Sequence, residues 1–207
     1  MKKILLTGAS GLLGKHLTID AERPTHEQFN IVQGGSWKRI SGEYELIVHC
    51  AGYTNVAKAE TDKSECFDVN VKGTLNLLEA YPHTPFVYIS SEYAHNPVNF
   101  YGLTKFLAEE IVKTYPNYLI IRTLFKPFPW PFDKAFTDQY TQGGYINHVA
   151  PLIEKAIIDW DRKTNQLIYV GDGRGRKTMY KLASKTKKVL PNSVDDIKNV
   201  KLPKDYE

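Results

Sequence analysis

Tyr101 and Lys105 stand four residues apart. On a helix this spacing puts both side chains on one face, where an ammonium can lie near a phenol. A free tyrosine has a pKa of roughly 10, too high for a base at neutral pH. A neighbouring cation favours the phenolate and is expected to lower that value. The pair is therefore a candidate for general acid–base chemistry. The hydroxyls of Ser90 and Ser91, a few residues upstream, can hydrogen-bond the same reacting oxygen and stabilise charge there. Taken alone, a Tyr-x-x-x-Lys pair also describes a solvated helix face. The second chemical feature is Thr7-Gly8-Ala9-Ser10-Gly11-Leu12-Leu13-Gly14, directly after a strand-like run and at the start of a helical pattern. Gly8 suits a tight turn, Gly11 a close approach of backbone to a pyrophosphate, and Gly14 close helix–strand packing. The helix N-terminus offers N–H groups and a positive dipole end to phosphates. A plain glycine-rich turn between strand and helix is the competing reading.

Such residues need a scaffold, and the hydrophobic pattern supplies one. Apolar runs of strand length alternate with segments of helical period, which argues for βαβ units and a parallel sheet. Strands are expected at Lys3–Leu6, Phe29–Val32, Leu46–Cys50, Phe86–Ser90, Tyr118–Arg122 and Gln166–Val170. Helices are expected at Gly11–Ile19, Ser64–Ala80, Tyr101–Lys113, His148–Asp159 and Thr178–Lys187. Only about a dozen residues separate the second and third strands, so one crossover helix should be missing or reduced to a turn. From Lys126 the run Lys-Pro-Phe-Pro-Trp-Pro-Phe excludes helix and central strand. It divides the chain into residues 1–125, a dinucleotide-binding domain, and residues 126–207, a small substrate-binding region. The polar tail from Pro191 to Glu207 reads as an ordered cap or a frayed end.

Composition mostly excludes. The 207 residues are 42% hydrophobic and 24% charged, an ordinary globular balance. Lys and Arg number 27 against 23 acids, a net charge of +4. That excess helps attract an anion without identifying a nucleic-acid binder. No apolar run approaches the roughly 18 residues of a membrane span. Met1-Lys2-Lys3 passes straight into Ile4-Leu5-Leu6, unlike a signal peptide, so a cytoplasmic protein is expected. Cys50 and Cys66 suggest neither a disulfide framework nor metal spacing, and the six histidines are scattered, so no metal site is expected.

Five segments in order carry a resemblance. The Gly8-x-x-Gly11-x-x-Gly14 spacing, Val48-His49-Cys50-Ala51-Gly52, Asp68-Val69-Asn70-Val71-Lys72-Gly73-Thr74, Tyr88-Ile89-Ser90-Ser91 and Tyr101-Gly102-Leu103-Thr104-Lys105 together resemble the short-chain dehydrogenase/reductase superfamily. The resemblance implies a Rossmann-type doubly wound α/β sheet and a nicotinamide cofactor. It makes Tyr101 the proton donor to a carbonyl that receives hydride, and Lys105 a ligand of the nicotinamide ribose. Ser91 is favoured over Ser90 as the working hydroxyl, and Asn70 is implied in a proton relay. The cofactor would lie against Gly8, Ser10, Gly11, Leu12, Leu13, Gly14, Cys50, Ala51, Gly52 and Asn70. The stretch from Cys50 to Glu60, Ser90-Ser91-Glu92-Tyr93 and Arg122-Thr123 resemble, more narrowly, the dTDP-4-dehydrorhamnose reductases over roughly residues 1–125. Those enzymes reduce the 4-keto group of a nucleotide-linked deoxysugar, which implies substrate contacts at Tyr53, Glu92 and Tyr93. Three departures stand out: Ala57 replaces the family's Asp, only the short stretch 92–100 joins Ser91 to Tyr101, and the C-terminal region is reduced.

An acid at the end of the second strand would bind the ribose hydroxyl of NAD and repel a phosphate there. The chain has Gln33-Gly34-Gly35-Ser36-Trp37-Lys38-Arg39 instead. Ser36 and Lys38 lean to NADP, although Lys38 and Arg39 also fit a solvated face, and NAD stays open. Phe125–Phe132 reads as a packed loop over the cleft. Gly171–Lys177 reads either as a basic nest for a substrate diphosphate or as a hairpin tip. Phe106, Leu107 and Ile111 can form a homodimer seam, as the resemblance implies. The leading function is NADP-dependent reduction of a keto group on a nucleotide sugar. The rivals are an NAD-dependent nucleotide-sugar epimerase or dehydratase, and a non-catalytic subunit that binds a dinucleotide or nucleotide sugar.

Overall fold

Five apolar runs pair side by side as parallel strands in a computed structural model that describes residues 3–33 and 43–205. In chain order the strands are β1 (Lys3–Thr7), β2 (Tyr44–His49), β3 (Phe86–Ile89), β4 (Tyr118–Thr123), β5 (Phe125–Lys126), β6 (Lys134–Phe136), β7 (Tyr140–Thr141), β8 (Gly144–Tyr145), β9 (Gln166–Val170), β10 (Lys177–Thr178) and β11 (Leu190–Asn192). The main sheet runs β1-β2-β3-β4-β9. The helices are α1 (Lys63–Phe67), α2 (Gly73–Ala80), α3 (Phe100–Val112), α4 (Ile146–Asp159) and α5 (Met179–Ala183), and a π-helical turn, Asp68–Lys72, joins α1 to α2.

Alternate residues of a strand point to opposite faces, and here both faces are covered. Leu6, Val48, Val87, Ile89, Leu119 and Ile121 pack under Ile146, Val149, Ile153 and Ile157 of α4. Leu5, Ile47, Phe86, Tyr88 and Ile120 pack under Leu77 and Leu78 of α2 and Ala108 and Val112 of α3. Helices on both sides of a parallel sheet make the doubly wound arrangement expected from the alternating pattern. The fifth strand comes from Gln166–Val170, so residues 126–207 contribute a strand and a covering helix to this layer. They also form a smaller core in which Trp130, Tyr145, Met179, Leu182 and Val189 pack together.

Several elements differ from expectation. Phe29–Val32 forms no strand, although Phe29 and Ile31 are buried against the sheet face. The outer side of β1 is met by Glu22, whose N–H and carbonyl bond Ile4 and Leu6 at 2.8 and 2.9 Å. Gly11–Ile19 forms irregular turns rather than a helix. The guanidinium of Arg23 donates to the carbonyls of Gly14, Leu17 and Ile19 at 2.7–2.9 Å, closing the segment with a side chain instead of further helical bonds. The helix expected over Thr178–Lys187 stops at Ala183 and continues as turns. The expected short crossover before the third predicted strand falls largely on residues 34–42, outside the described residues. The tail, through residue 205, is an ordered cap. β11 pairs with β6, Ser193 and Asp196 form a capping box, and the carbonyls of Lys201 and Lys204 accept from Asn99 Nδ2 and Tyr140 N. Among the described residues no helix is long and apolar enough to cross a membrane.

Candidate active site

The carboxyl ends of the strands open on one edge of the sheet, where ligands of such folds bind. β1 delivers the chain into Gly8, whose φ of +70° suits glycine. A Cβ there would stand 2.4 Å from the Ala51 nitrogen, and one on Gly14 would stand 2.4 Å from the Gly8 carbonyl. Gly11 N donates to that carbonyl at 3.0 Å, whereas the N–H groups of Leu12 and Leu13 have no acceptor among the described residues. Two backbone donors thus stand without an acceptor among the described residues, beside a turn with no room for a side chain at Gly8 or Gly14. β2 ends at Cys50-Ala51-Gly52, and the next residue, Tyr53, is tied down by Asn70. Its Oδ1 accepts from Tyr53 N at 2.8 Å, and its Nδ2 donates to Tyr53 O at 3.3 Å and Thr104 Oγ1 at 3.0 Å. Asn70 is therefore the clamp between the π-turn, the β2 end and α3.

β3 ends at the two serines, and their partners distinguish them. Ser90 donates to Glu109 Oε1 at 2.5 Å, and that fully buried carboxylate also takes the Arg122 guanidinium at 2.6–3.2 Å. Ser91 caps the turn Glu92–Ala94 by accepting from Tyr93 N at 3.2 Å, and it lines the same cavity as Tyr101. α3 starts where Asn99 Oδ1 accepts from Gly102 N at 2.8 Å, which sets Tyr101 and Lys105 on its buried face. The expected electrostatics do not hold. Burial pushes the Tyr101 phenol up to about 12, against the lowering effect of the Ser91 hydroxyl. Lys105 does not pull it down because Nζ donates to the Ile89 carbonyl at 2.8 Å and lies 4.2 Å from the Tyr88 ring centre. Burial lowers Lys105 itself to about 8, with Glu109 opposing that shift. The phenol is thus held protonated, as an acid.

A cavity of about 790 Å³ runs along this edge. Gly8, Ser10, Gly11, Leu12, Leu13, Gly14, Cys50, Ala51, Gly52, Tyr53, Ser91, Tyr93, Tyr101 and Lys105 all line it. The buried Asn70 sits behind the wall. Ser36 and Lys38 lie outside the described residues. Glu92 is a correction, since it turns away from the cavity. Its carboxylate is buried and accepts from Thr141 Oγ1 at 2.7 Å and Gln142 N at 3.2 Å, pinning the later loop. The Gly171–Lys177 nest is a second correction, because Lys177 Nζ is buried on Asp172 Oδ1 at 2.8 Å and the loop does not line the cavity. Phe125, Lys126, Pro127, Pro131 and Phe132 do cover the cleft. Sequence reasoning missed Thr123, Glu65, Val69 and the apolar floor from Phe29, Ile31 and Val32. The buried alternation of the last three was the available signal, assigned instead to a strand.

Comparison with known proteins agrees with this architecture. The chain is 27% identical over 147 residues to the dTDP-4-dehydrorhamnose reductase of Mycolicibacterium smegmatis, covering 59% of this chain and 45% of that protein. It is 28% identical over 142 residues to methionine adenosyltransferase 2 subunit beta of Bos taurus, covering 54% and 42%. The chain therefore matches under half the length of either relative. The crystal structure of dTDP-4-dehydrorhamnose reductase from Bacillus anthracis, in complex with NADP, superposes with a TM-score of 0.82 at 23% identity, covering 95% of this chain and 86% of that one. That likeness shows the shared Rossmann-like fold. The profile described as the RmlD substrate binding domain matches residues 1–142, and the chain belongs to that family.

Proposed function

We propose that the chain is an NADP-dependent reductase of the 4-keto group of a nucleotide-linked deoxysugar. The observation that carries this reading is that Ser91 and Tyr101 share the wall of a cavity that begins at the glycine turn. The turn fits a dinucleotide, with backbone donors at Leu12 and Leu13 and no room for a side chain at Gly8 or Gly14. When bound, NADPH supplies hydride to a carbonyl carbon. Tyr101 holds a proton at its hydroxyl, kept there by burial, and passes it to the carbonyl oxygen as charge develops. Ser91 hydrogen-bonds that same oxygen and fixes its position. Lys105 faces the cofactor side beside Gly52, and Asn70 holds the Tyr53 segment in register. Tyr53 and Tyr93 face the sugar, with residues 1–125 carrying the cofactor and 126–207 closing the substrate end. The free Cys50 and Cys66 suit a reducing cytoplasm. The half-buried Phe106, Leu107 and Ile111 of α3, beside Leu103 at 40% exposure, offer a homodimer seam whose test is the solution mass.

The test is turnover of NADPH with dTDP-4-dehydrorhamnose and related 4-keto sugars. One cofactor oxidised per product is expected, and Tyr101→Phe should lower kcat by about 10²- to 10⁴-fold with NADPH affinity intact. Full turnover by the variant would remove Tyr101 from the chemistry. Turnover without net cofactor oxidation would instead mark an epimerase or dehydratase. A second reading, a non-catalytic binding subunit, is favoured by the Lys105–Ile89 bond, which draws the lysine from the phenol. Binding of NADPH with no turnover of any sugar would support it.

A further inference from the structure

We infer that Lys126 receives an anionic oxygen of the substrate, from a phosphate or a carboxylate, at the end of the cavity away from the glycine turn. This rests on the proposed reading that a carbonyl substrate shares the cavity with a dinucleotide. Lys126 lines the cavity and is only part-exposed, yet no carboxylate or other acceptor among the described residues receives its Nζ. Its Nζ lies over the Phe132 ring, 5.8 Å from the centroid. The other buried lysines are engaged differently. Lys105 donates to the Ile89 carbonyl, and Lys177 is paired with Asp172. A cation partly withdrawn from water and left without a counter-charge favours an arriving anion. Burial alone lowers its pKa, and an anion beside it would oppose that shift.

Position separates this charge from the cofactor's pyrophosphate. The chain reaches Lys126 from β4, which stands three strands across the sheet from β1, roughly 14 Å by strand spacing. Its backbone is fixed on both sides. It pairs with Tyr145 in the two-residue β5–β8 ladder, and Pro127 follows. The charge is therefore presented from a fixed backbone, reached from the strand one step farther from β1 than the strand that leads to Ser91.

The experiment measures equilibrium binding to the full chain, first of NADPH alone and then of three probes at saturating NADP⁺. The probes are thymidine diphosphate, UDP-glucose and UDP-glucuronate, tested on wild type, Lys126→Met and Lys126→Arg, each with its thermal unfolding recorded. Expected for Lys126→Met is about 10- to 100-fold weaker binding of thymidine diphosphate, with NADPH affinity unchanged and Lys126→Arg largely restoring the loss. A loss confined to UDP-glucuronate also supports the inference and assigns the anion as a carboxylate. Equal binding of every probe by wild type and Lys126→Met overturns it. So does a loss of NADPH affinity in that variant, which would give Lys126 to the cofactor. Wild type that binds NADPH but none of the probes overturns it too, while leaving the dinucleotide site standing. Lys126-dependent binding of thymidine diphosphate by a chain that does not bind NADPH would instead retain the inference and sink the reductase reading.

Discussion

Replacing Arg122 with methionine strips the counter-ion from a carboxylate that has no exposure to water. Glu109 accepts from Arg122 Nε at 2.9 and 3.2 Å, from Nη2 at 2.6 Å and from Ser90 Oγ at 2.5 Å. Removing one partner of a buried ion pair costs about 3–5 kcal/mol, because the remaining charge keeps its desolvation and loses its compensation. The surviving Ser90 bond offsets part of that, so about 4 kcal/mol is expected at pH 7. For a chain of this size it corresponds to roughly 8–16 °C in melting temperature. Urea unfolding should show a lower midpoint with an unchanged slope. Adding Glu109→Gln should recover much of the loss, but not the Arg122 Nη1 bond to Tyr169 at 2.7 Å. A loss below about 1 kcal/mol, or a double variant no better than the single one, would refute the claim that the buried Glu109 carboxylate depends on Arg122 for its compensation.

His49 offers a test by pH. It is held neutral between Thr7 Oγ1 at 2.7 Å and Thr74 Oγ1 at 3.1 Å, and burial drives its pKa down to about 3. The unfolded chain binds the extra proton below about pH 6.5, so stability is lost on acidification, by about 2 kcal/mol at pH 5. Denaturant unfolding of wild type and His49→Gln at pH 7 and 5 checks it, and equal pH slopes would contradict it. Gly8→Ala puts a Cβ 2.4 Å from the Ala51 nitrogen at a positive φ, so it should destabilise the protein and weaken NADPH binding at least about tenfold. An alanine variant with wild-type NADPH affinity would mean that the turn is not the cofactor's seat.

What could be read in advance follows from the range of the interactions involved. α3 was legible almost to the residue because its helical period and its Tyr-x-x-x-Lys face are local signals. β3 and β9 were legible from short apolar runs. Phe29 and Ile31 were misassigned because alternation reports burial, not pairing, and Glu22 occupies the hydrogen-bonding edge instead. The turns after Gly11 depend on Arg23, whose three carbonyl bonds leave no periodic trace. Glu92 looked like a substrate group, yet its partner Thr141 lies 49 residues away and only the fold brings them together. The phenol's pKa was misjudged for the same reason: helical spacing predicts proximity, but a carbonyl of β3 captures the ammonium.

The π-helical turn at Asp68–Lys72 sets a limit on how this chain can change length. Cys66, Asn70, Thr74 and Leu78, spaced by four, are all essentially buried. In a regular helix positions four apart drift by about 40° per step, so the first and last would diverge by about 120°. The wider turn takes back most of that drift. One stripe can then hold Tyr53 through Asn70, His49 through Thr74 and the sheet core through Leu78. Deleting a single residue there would rotate one half of the helix by roughly 100° against the other. The number of residues in this turn is thus as much a part of the site as the side chains it aligns.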